Sequence, residues 1–236
     1  MASITEDEFD ALRAYVTGRY VLSGQPPDVV EALDRHNDRV LGFVDEIAAG
    51  EDLTREEYEA LKTIAILHDV AKADTDLLHH ALAGADIARE KLAVLGKDDD
   101  FIETVRRGIV CHMGPFPFVD EETEKHAERT GEHLHLPRPR TRIDRLFYDA
   151  DMLALIDIEG IEKVVVLRRR TPEFVEEDEA TAAARGTTSH EAAYASALRS
   201  VHRAADTLFS PTAKGVAKRL VDEAEAHVAE RVGGRR

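Results

Sequence analysis

The segment TREEYEALKTIAILHDVAKADTDLLHH, Thr54 to His80, decides how this chain folds. Thr54 followed three residues later by Glu57 is a capping box, so a helix starts here. An apolar run through Ile64, Ile66 and Leu67 continues it and then stops at His68-Asp69, with Lys72 three residues past the aspartate and His79-His80 beyond. A helix that only fills a core has no need of that ending. Adjacent residues lie about 100° apart around a helix, so His68 and Asp69 reach one ion only if it sits at the helix end between them.

Outward from this stretch, helix signals recur and strand signals are nearly absent. TEDEFDALRAYV opens with a second capping box, Thr5 with Glu8. PPDVVEALDRHNDRVLGFVDEIAAG has proline at its start and glycine at its end, and Val30, Leu33, Val40, Leu41, Val44 and Ile47 recur at helical spacing. HHALAGADIAREKLAVLG, closed by Gly96, and DDFIETVRRGIVCH read as two more helices. RIDRLFYDADMLALIDIEGIEKVVVL continues the pattern, although Val164 to Val166 also fits a strand. Two helices finish the chain, one behind Ser189 and one with Ser210 as cap and Pro211 in its first turn. HMGPFPFVDEE reads as a loop, and RRRTPEFVEEDEATAAARGTTSH as a long connection or mobile flap. No repeat or compositional break divides the sequence, so the expectation is an all-α fold, one helical bundle over residues 1–236.

The charge balance bounds the partners. With 47 acidic residues against 31 basic ones, the net charge is -16, and such a surface repels the phosphate backbone of duplex nucleic acid and anionic lipid. Acidic runs such as KDDDF and FVEEDEA fit plain solubility or adaptation to a salt-rich cytoplasm. No apolar run approaches the ~20 residues that cross a bilayer, and the N-terminal MASITEDEFD is acidic where a secretory signal is basic and then apolar. A cytoplasmic location is expected. Cys111 is the single cysteine, which excludes an intramolecular disulfide and any cysteine-cluster metal site. A metal here must be held by imidazole and carboxylate, a set that suits Mn, Fe, Co, Ni, Zn or, with more oxygen ligands, Mg.

Further ligands must come from other helices. His36 and Asp151 are candidates because each sits in a largely apolar helix, where an aspartate is costly unless paired or coordinated. His80 and His112 stand at the start and end of two further helices. His126, His133, His135, His190, His202 and His227 read as ordinary hydrogen-bonded or boundary histidines.

Taken in order, His36, His68-Asp69 and Asp151 resemble the H…HD…D signature of the HD-domain metal-dependent phosphohydrolases. The local contexts are similar too: RHNDRV with Arg39 three residues past the histidine, ILHDVAK with its HD-x-x-K lysine, HALAGADIA against H-x-x-x-G-A, and IVCH against I-x-x-H. The likeness spans about residues 30–165, with the helices of about 189–232 expected to pack on that core. DADMLALIDIEGIEKV further resembles a stretch of the bacterial HD-type nucleoside triphosphate pyrophosphohydrolases, with Ala154 in place of an expected aspartate and Asp157 in place of a glycine.

The resemblance implies that His36, His68, Asp69 and Asp151 ligate a divalent cation, with Asp69 or a neighbour such as Asp149 orienting a water. It implies that Lys72 acts on the phosphate as a point charge, that Arg39 clamps a phosphate or pairs with an acid, and that His80 and His112 hold a second metal or contact phosphate. Lys214, Lys218 and Arg219 read as a solvated face. The expected activity is hydrolysis of a small phosphorylated substrate, with a nucleotide as first guess. The alternatives are a phosphodiesterase or nuclease acting on cyclic nucleotides or single-stranded RNA, with GPFPF as a base-stacking wall, and a non-catalytic nucleotide- or partner-binding module. The stretch from Arg168 to Ser189 is expected to tune specificity.

Overall fold

The computed structural model describes residues 4–75, 78–114 and 117–233. Among them are eleven helices and no strand, which is the expected all-α class: α1 Glu6–Leu22, α2 Pro27–Gly50, α3 Arg55–Leu67, α4 His80–Val94, α5 Asp99–Cys111, α6 Pro117–Thr130, α7 Arg142–Ile156, α8 Ile158–Arg170, α9 Pro172–Arg185, α10 Ser189–Thr207 and α11 Pro211–Gly233. The chain divides into two compact units, Met1–Asp151 and Met152–Arg236.

In the first unit α3 packs on α1, α2, α4 and α5. That central place explains why Ala60, Leu61, Ile64, Ala65, Ile66 and Leu67 are all buried, leaving α3 no solvent face over its last turn. Its neighbours are amphipathic and turn one stripe inward: Phe9, Leu12, Val16 and Tyr20 on α1, and Val40, Val44 and Ile47 on α2. Both expected capping boxes are present, Thr5 with Glu8 and Thr54 with Glu57. The helices approach closely where side chains are smallest. A Cβ at Gly108 of α5 would lie 2.5 Å from Ile64 Cδ1, and one at Gly84 of α4 would lie 3.3 Å from the His68 carbonyl oxygen. Gly84 thus lets the α4 backbone rest on the turn that carries His68 and Asp69, which gives the H-x-x-x-G spacing a physical reason.

In the second unit α10 packs on α8, α9 and α11 through alanines and Tyr194. Glu162 of α8 gathers its neighbours: its Oε1 accepts from the Tyr194 hydroxyl at 2.8 Å and from His227 Nε2 at 2.7 Å. Val164 to Val166 are helical, not a strand. The flap expected from Arg168 to Ser189 is mostly helix α9. Pro172 occupies its first turn and Gly186, at φ 66°, ends it in the left-handed region. It is held by the buried Arg168, whose guanidinium donates to Asp178 Oδ1 at 2.7 Å and to Glu177 Oε2 at 2.9 Å. The cap of α10 is Thr188, in a box with Glu191, one residue before the Ser189 expected. Likewise HMGPFPFVDEE is a loop only at its start, since α6 begins at Pro117. Residues 115–116 and the side chain of Phe118 lie outside the described residues, and with them the proposed stacking wall.

The α7–α8 junction accounts for one departure from the family-like pattern. Asp157 caps α8, its Oδ1 accepting from Gly160 N at 2.7 Å. A Cβ on Gly160 would come 2.3 Å from the Leu155 carbonyl oxygen and 2.9 Å from that of Ala154. Both obstacles are backbone, so Gly160→Ala must shift the junction. It is expected to cost about 2 kcal/mol, lowering Tm by about 4–8 °C. An unchanged Tm in thermal denaturation would show that the junction yields freely.

Candidate metal centre

α3 ends at Leu67, and His68 is its C-cap residue. Asp69 to Asp74 follow as tight turns, with Val70 N donating to Leu67 O and Lys72 N to Asp69 O. His112 caps the end of α5 in the same way. In both residues the ring bends back on its own helix: His68 Nδ1 lies 2.8 Å from Ala65 O, and His112 Nδ1 lies 2.6 Å from Ile109 O. A carbonyl only accepts, so Nδ1 carries the hydrogen in each ring and Nε2 is turned to the centre. Helix C-termini also carry partial negative charge, which favours a cation at both positions.

Four donor atoms meet at the end of α3. His36 Nε2, from the middle of α2, lies 3.4 Å from His68 Nε2, 3.7 Å from Asp69 Oδ2 and 3.3 Å from Asp151 Oδ1. His68 Nε2 lies 3.4 Å from Asp69 Oδ2 and 3.8 Å from Asp151 Oδ1. The other carboxylate oxygen faces a second pair: Asp69 Oδ1 is 3.3 Å from His80 Nε2 and 3.9 Å from His112 Nε2, and those two nitrogens are 3.0 Å apart. So the six residues His36, His68, Asp69, His80, His112 and Asp151 come together, all buried, with Asp69 between two histidine pairs.

The protonation states suit a cation. Burial alone would raise the Asp69 carboxyl, but Lys72 and His68 outweigh it and hold the group well below the usual carboxylate range. Asp151 is likewise held low against its burial, by His36 and then by His68. Burial, and then the neighbouring His80, push His112 down to about 3, so its ring is neutral and its Nε2 keeps a lone pair. Burial favours neutral His68, yet Asp69 and Asp151 raise it; carboxylates that attract a proton to that ring also attract a metal ion. Asp69 Oδ1 is buried and makes no hydrogen bond of its own. Imidazole nitrogens facing one another around ionised carboxylates repel unless a positive charge lies between them, so the donor set fits a divalent ion.

Lys72 does not point away from this cluster. Its Nζ lies 2.6 Å from Asp69 Oδ2, on a side chain 27% exposed, so it can reach both the carboxylate and water. Arg39 is half-buried one turn past His36. Asp149 is fully buried on α7, two positions before Asp151 and therefore about 200° around the helix from it; their carboxyls leave α7 on opposite sides. Lys214, Lys218 and Arg219 are exposed on α11 in the second unit.

Three supports were not read from the sequence. Tyr20 donates its buried hydroxyl to the Asp69 carbonyl at 3.1 Å, and Asn37 Nδ2 donates to that hydroxyl at 3.4 Å. Phe147 stands against the ring of His68, with centroids 5.4 Å apart, and excludes water from that side. The available signals were the buried stripe of α1 that contains Tyr20 and the place of Asn37 beside His36.

A family model described as HD domain matches residues 33–156. Comparisons with curated proteins and with solved structures gave no match. No helix among the described residues is long and apolar enough to cross a membrane.

Proposed function

The chain belongs to the HD-domain family, whose members are divalent-metal-dependent phosphohydrolases, and from that premise we propose that it hydrolyses a small phosphate ester or anhydride, a nucleotide first among them, at the cluster around Asp69. The observation that supports this most is the division of Asp69 between two histidine pairs, Oδ2 toward His36 and His68 and Oδ1 toward His80 and His112. Metal–ligand bonds of about 2.0–2.2 Å place neighbouring donors roughly 3.0–3.5 Å apart. His36 and His68 Nε2, at 3.4 Å, and His80 and His112 Nε2, at 3.0 Å, stand at that spacing already.

On this reading His36, His68, Asp151 and Oδ2 of Asp69 hold one cation. His80, His112 and Oδ1 of Asp69 hold a second cation or meet the substrate's phosphate. When bound, the divalent ion supplies Lewis-acid polarisation of a phosphoryl oxygen and acidifies a water. Asp69 stays ionised in this setting and orients that water. His36 and Asp151 keep a little exposure and Lys72 more, while His68, His80 and His112 are closed off, so phosphate enters from the His36–Asp151–Lys72 side. With a net charge of -16, long-range attraction of a polyanion is absent, and binding depends on the metal and on local cations such as Lys72 and Arg39.

The test is phosphate and pyrophosphate release from nucleoside mono-, di- and triphosphates, cyclic nucleotides and single-stranded RNA, with Mn, Mg, Co, Ni, Fe or Zn supplied in turn. Metal-dependent turnover of a small phosphate is expected, with none after chelation. Turnover that is indifferent to chelator sinks the reading, and cleavage of RNA with no activity on mononucleotides replaces it by a nuclease. Lys72→Ala is expected to raise KM about 5-fold, the worth of ~1 kcal/mol for a partly exposed charge contact, with metal affinity little changed. A fall in metal affinity at constant KM would instead make Lys72 only the partner of Asp69.

A further inference from the structure

Outside the Asp69 cluster, a second convergence of metal-binding side chains stands in the first unit. His79 precedes α4, His126 lies on α6 and Glu132 follows the end of α6. His79 Nε2 is 3.7 Å from Glu132 Oε1, and His126 Nε2 is 3.3 Å from Glu132 Oε2. The two imidazole rings meet edge to face with centroids 5.3 Å apart. None of the three belongs to the constellation described above. His79 is the chain neighbour of His80, but its ring serves this separate group.

The arrangement is built by local structure. Gly131, at φ 76°, turns the chain at the end of α6, its N–H donating to Ala127 O at 2.8 Å. Thr130 Oγ1 donates to His126 O at 2.8 Å and accepts from Glu132 N at 3.1 Å. This turn brings Glu132 back across the ring of His126, which is more than nine-tenths buried, and holds both before His79 completes the set. Two imidazoles on a carboxylate, with the glutamate side chain 57% exposed, leave coordination positions open to water. Such a donor set prefers Zn, Co or Ni over Mg or Ca, which take oxygen.

We propose that His79, His126 and Glu132 form an additional transition-metal site, which fastens the end of α6 to the turn that starts α4. It does not depend on the reading of the Asp69 cluster, because it uses none of those residues. The experiment counts metal per chain by mass spectrometry after loading with Co2+ and dialysis, together with the Co2+ visible absorption. It compares the full-length parent, Glu132→Gln, His126→Ala, Asp69→Asn and the double variant His133→Ala/His135→Ala. Glu132→Gln is the principal variant because this exposed, near-isosteric change leaves folding intact, which circular dichroism verifies. The parent is expected to retain one more Co2+ than Glu132→Gln or His126→Ala. Asp69→Asn should keep this ion while losing what the other cluster holds, so the two sites fail independently. The His133/His135 double variant should also keep it. Equal metal content in the parent and Glu132→Gln overturns the proposal. So does loss of the ion in the double variant with retention in Glu132→Gln, which would place the metal on the exposed His133 and His135.

Discussion

His68→Ala and Asp69→Asn are each expected to lower metal-dependent phosphate release by at least about 10³-fold, some 4 kcal/mol of transition-state stabilisation, while the helical circular dichroism largely survives. The two side chains meet every other member of the cluster: Asp69 faces four imidazoles and Lys72, and His68 faces His36, Asp69 and Asp151. Removing either takes a donor from the centre of the set. The fold should tolerate both changes because the first unit rests on the apolar stripes of α1, α2, α4 and α5 around α3. Asp69→Asn keeps the shape of the side chain and removes only its charge, so it separates chemistry from packing. In His68→Ala, Ala65 O loses the ring N–H, a modest loss at the end of a helix already fixed by its neighbours. Folded variants of either kind that turn over within tenfold of the parent would remove the metal cluster from the chemistry.

How far this centre was legible in the sequence depends on the distance over which each part is specified. The helix that ends in His68-Asp69 announces itself locally, through Thr54 with Glu57 and the apolar run behind it. His112 follows the same rule, for both histidines close a helix whose last turn is buried and bond the carbonyl three residues back. Convergence is a different matter. Spacing alone did not bring His36 to His68, 32 residues away; the order of motifs suggested it, and the packing of α2 on α3 produces it. Tyr20 was missed because its bond to Asp69 O spans 49 residues and nothing near Tyr20 announces it. α9 was missed for the opposite reason. Its composition is polar and its periodicity weak, yet Pro172 and Gly186 were ordinary start and stop signals, and the helix is secured by Arg168 pairing with Asp178 across one turn of chain. The His79–His126–Glu132 group escaped because its geometry rests on one left-handed glycine, and each histidine by itself looks unremarkable.

The Thr141–Asp144 pair was also overlooked, and it yields the second large effect. Thr141 N donates to Asp144 Oδ2 at 2.9 Å, and Asp144 N donates to Thr141 Oγ1 at 3.3 Å, so these residues form a capping box for α7. Arg140 N donates to the same carboxylate at 3.1 Å, and Arg107 of α5 donates to it through Nε at 2.9 Å. One buried carboxylate therefore fixes the start of the helix that carries Phe147 and Asp151 and ties it to the helix that ends in His112. Asp144→Ala removes the cap and leaves Arg107 without that partner, and it is expected to cost about 2–4 kcal/mol. Asp144→Asn should cost less, because an amide still accepts. Burial pushes the Asp144 carboxyl up, but the Thr141 bonds, then Arg107 and Arg140, outweigh it and set it below the usual range. The folded pKa is thus lower than the unfolded one. The folded state resists protonation, so this stabilisation is fully present above about pH 4, the unfolded value, and is lost as pH falls through the folded pKa. The parent's stability in urea should accordingly fall more steeply below about pH 4 than that of Asp144→Ala, narrowing the gap between them. A gap that stays constant from neutral pH to the acid limit would mean that Asp144 acts through packing, with its charge contributing nothing.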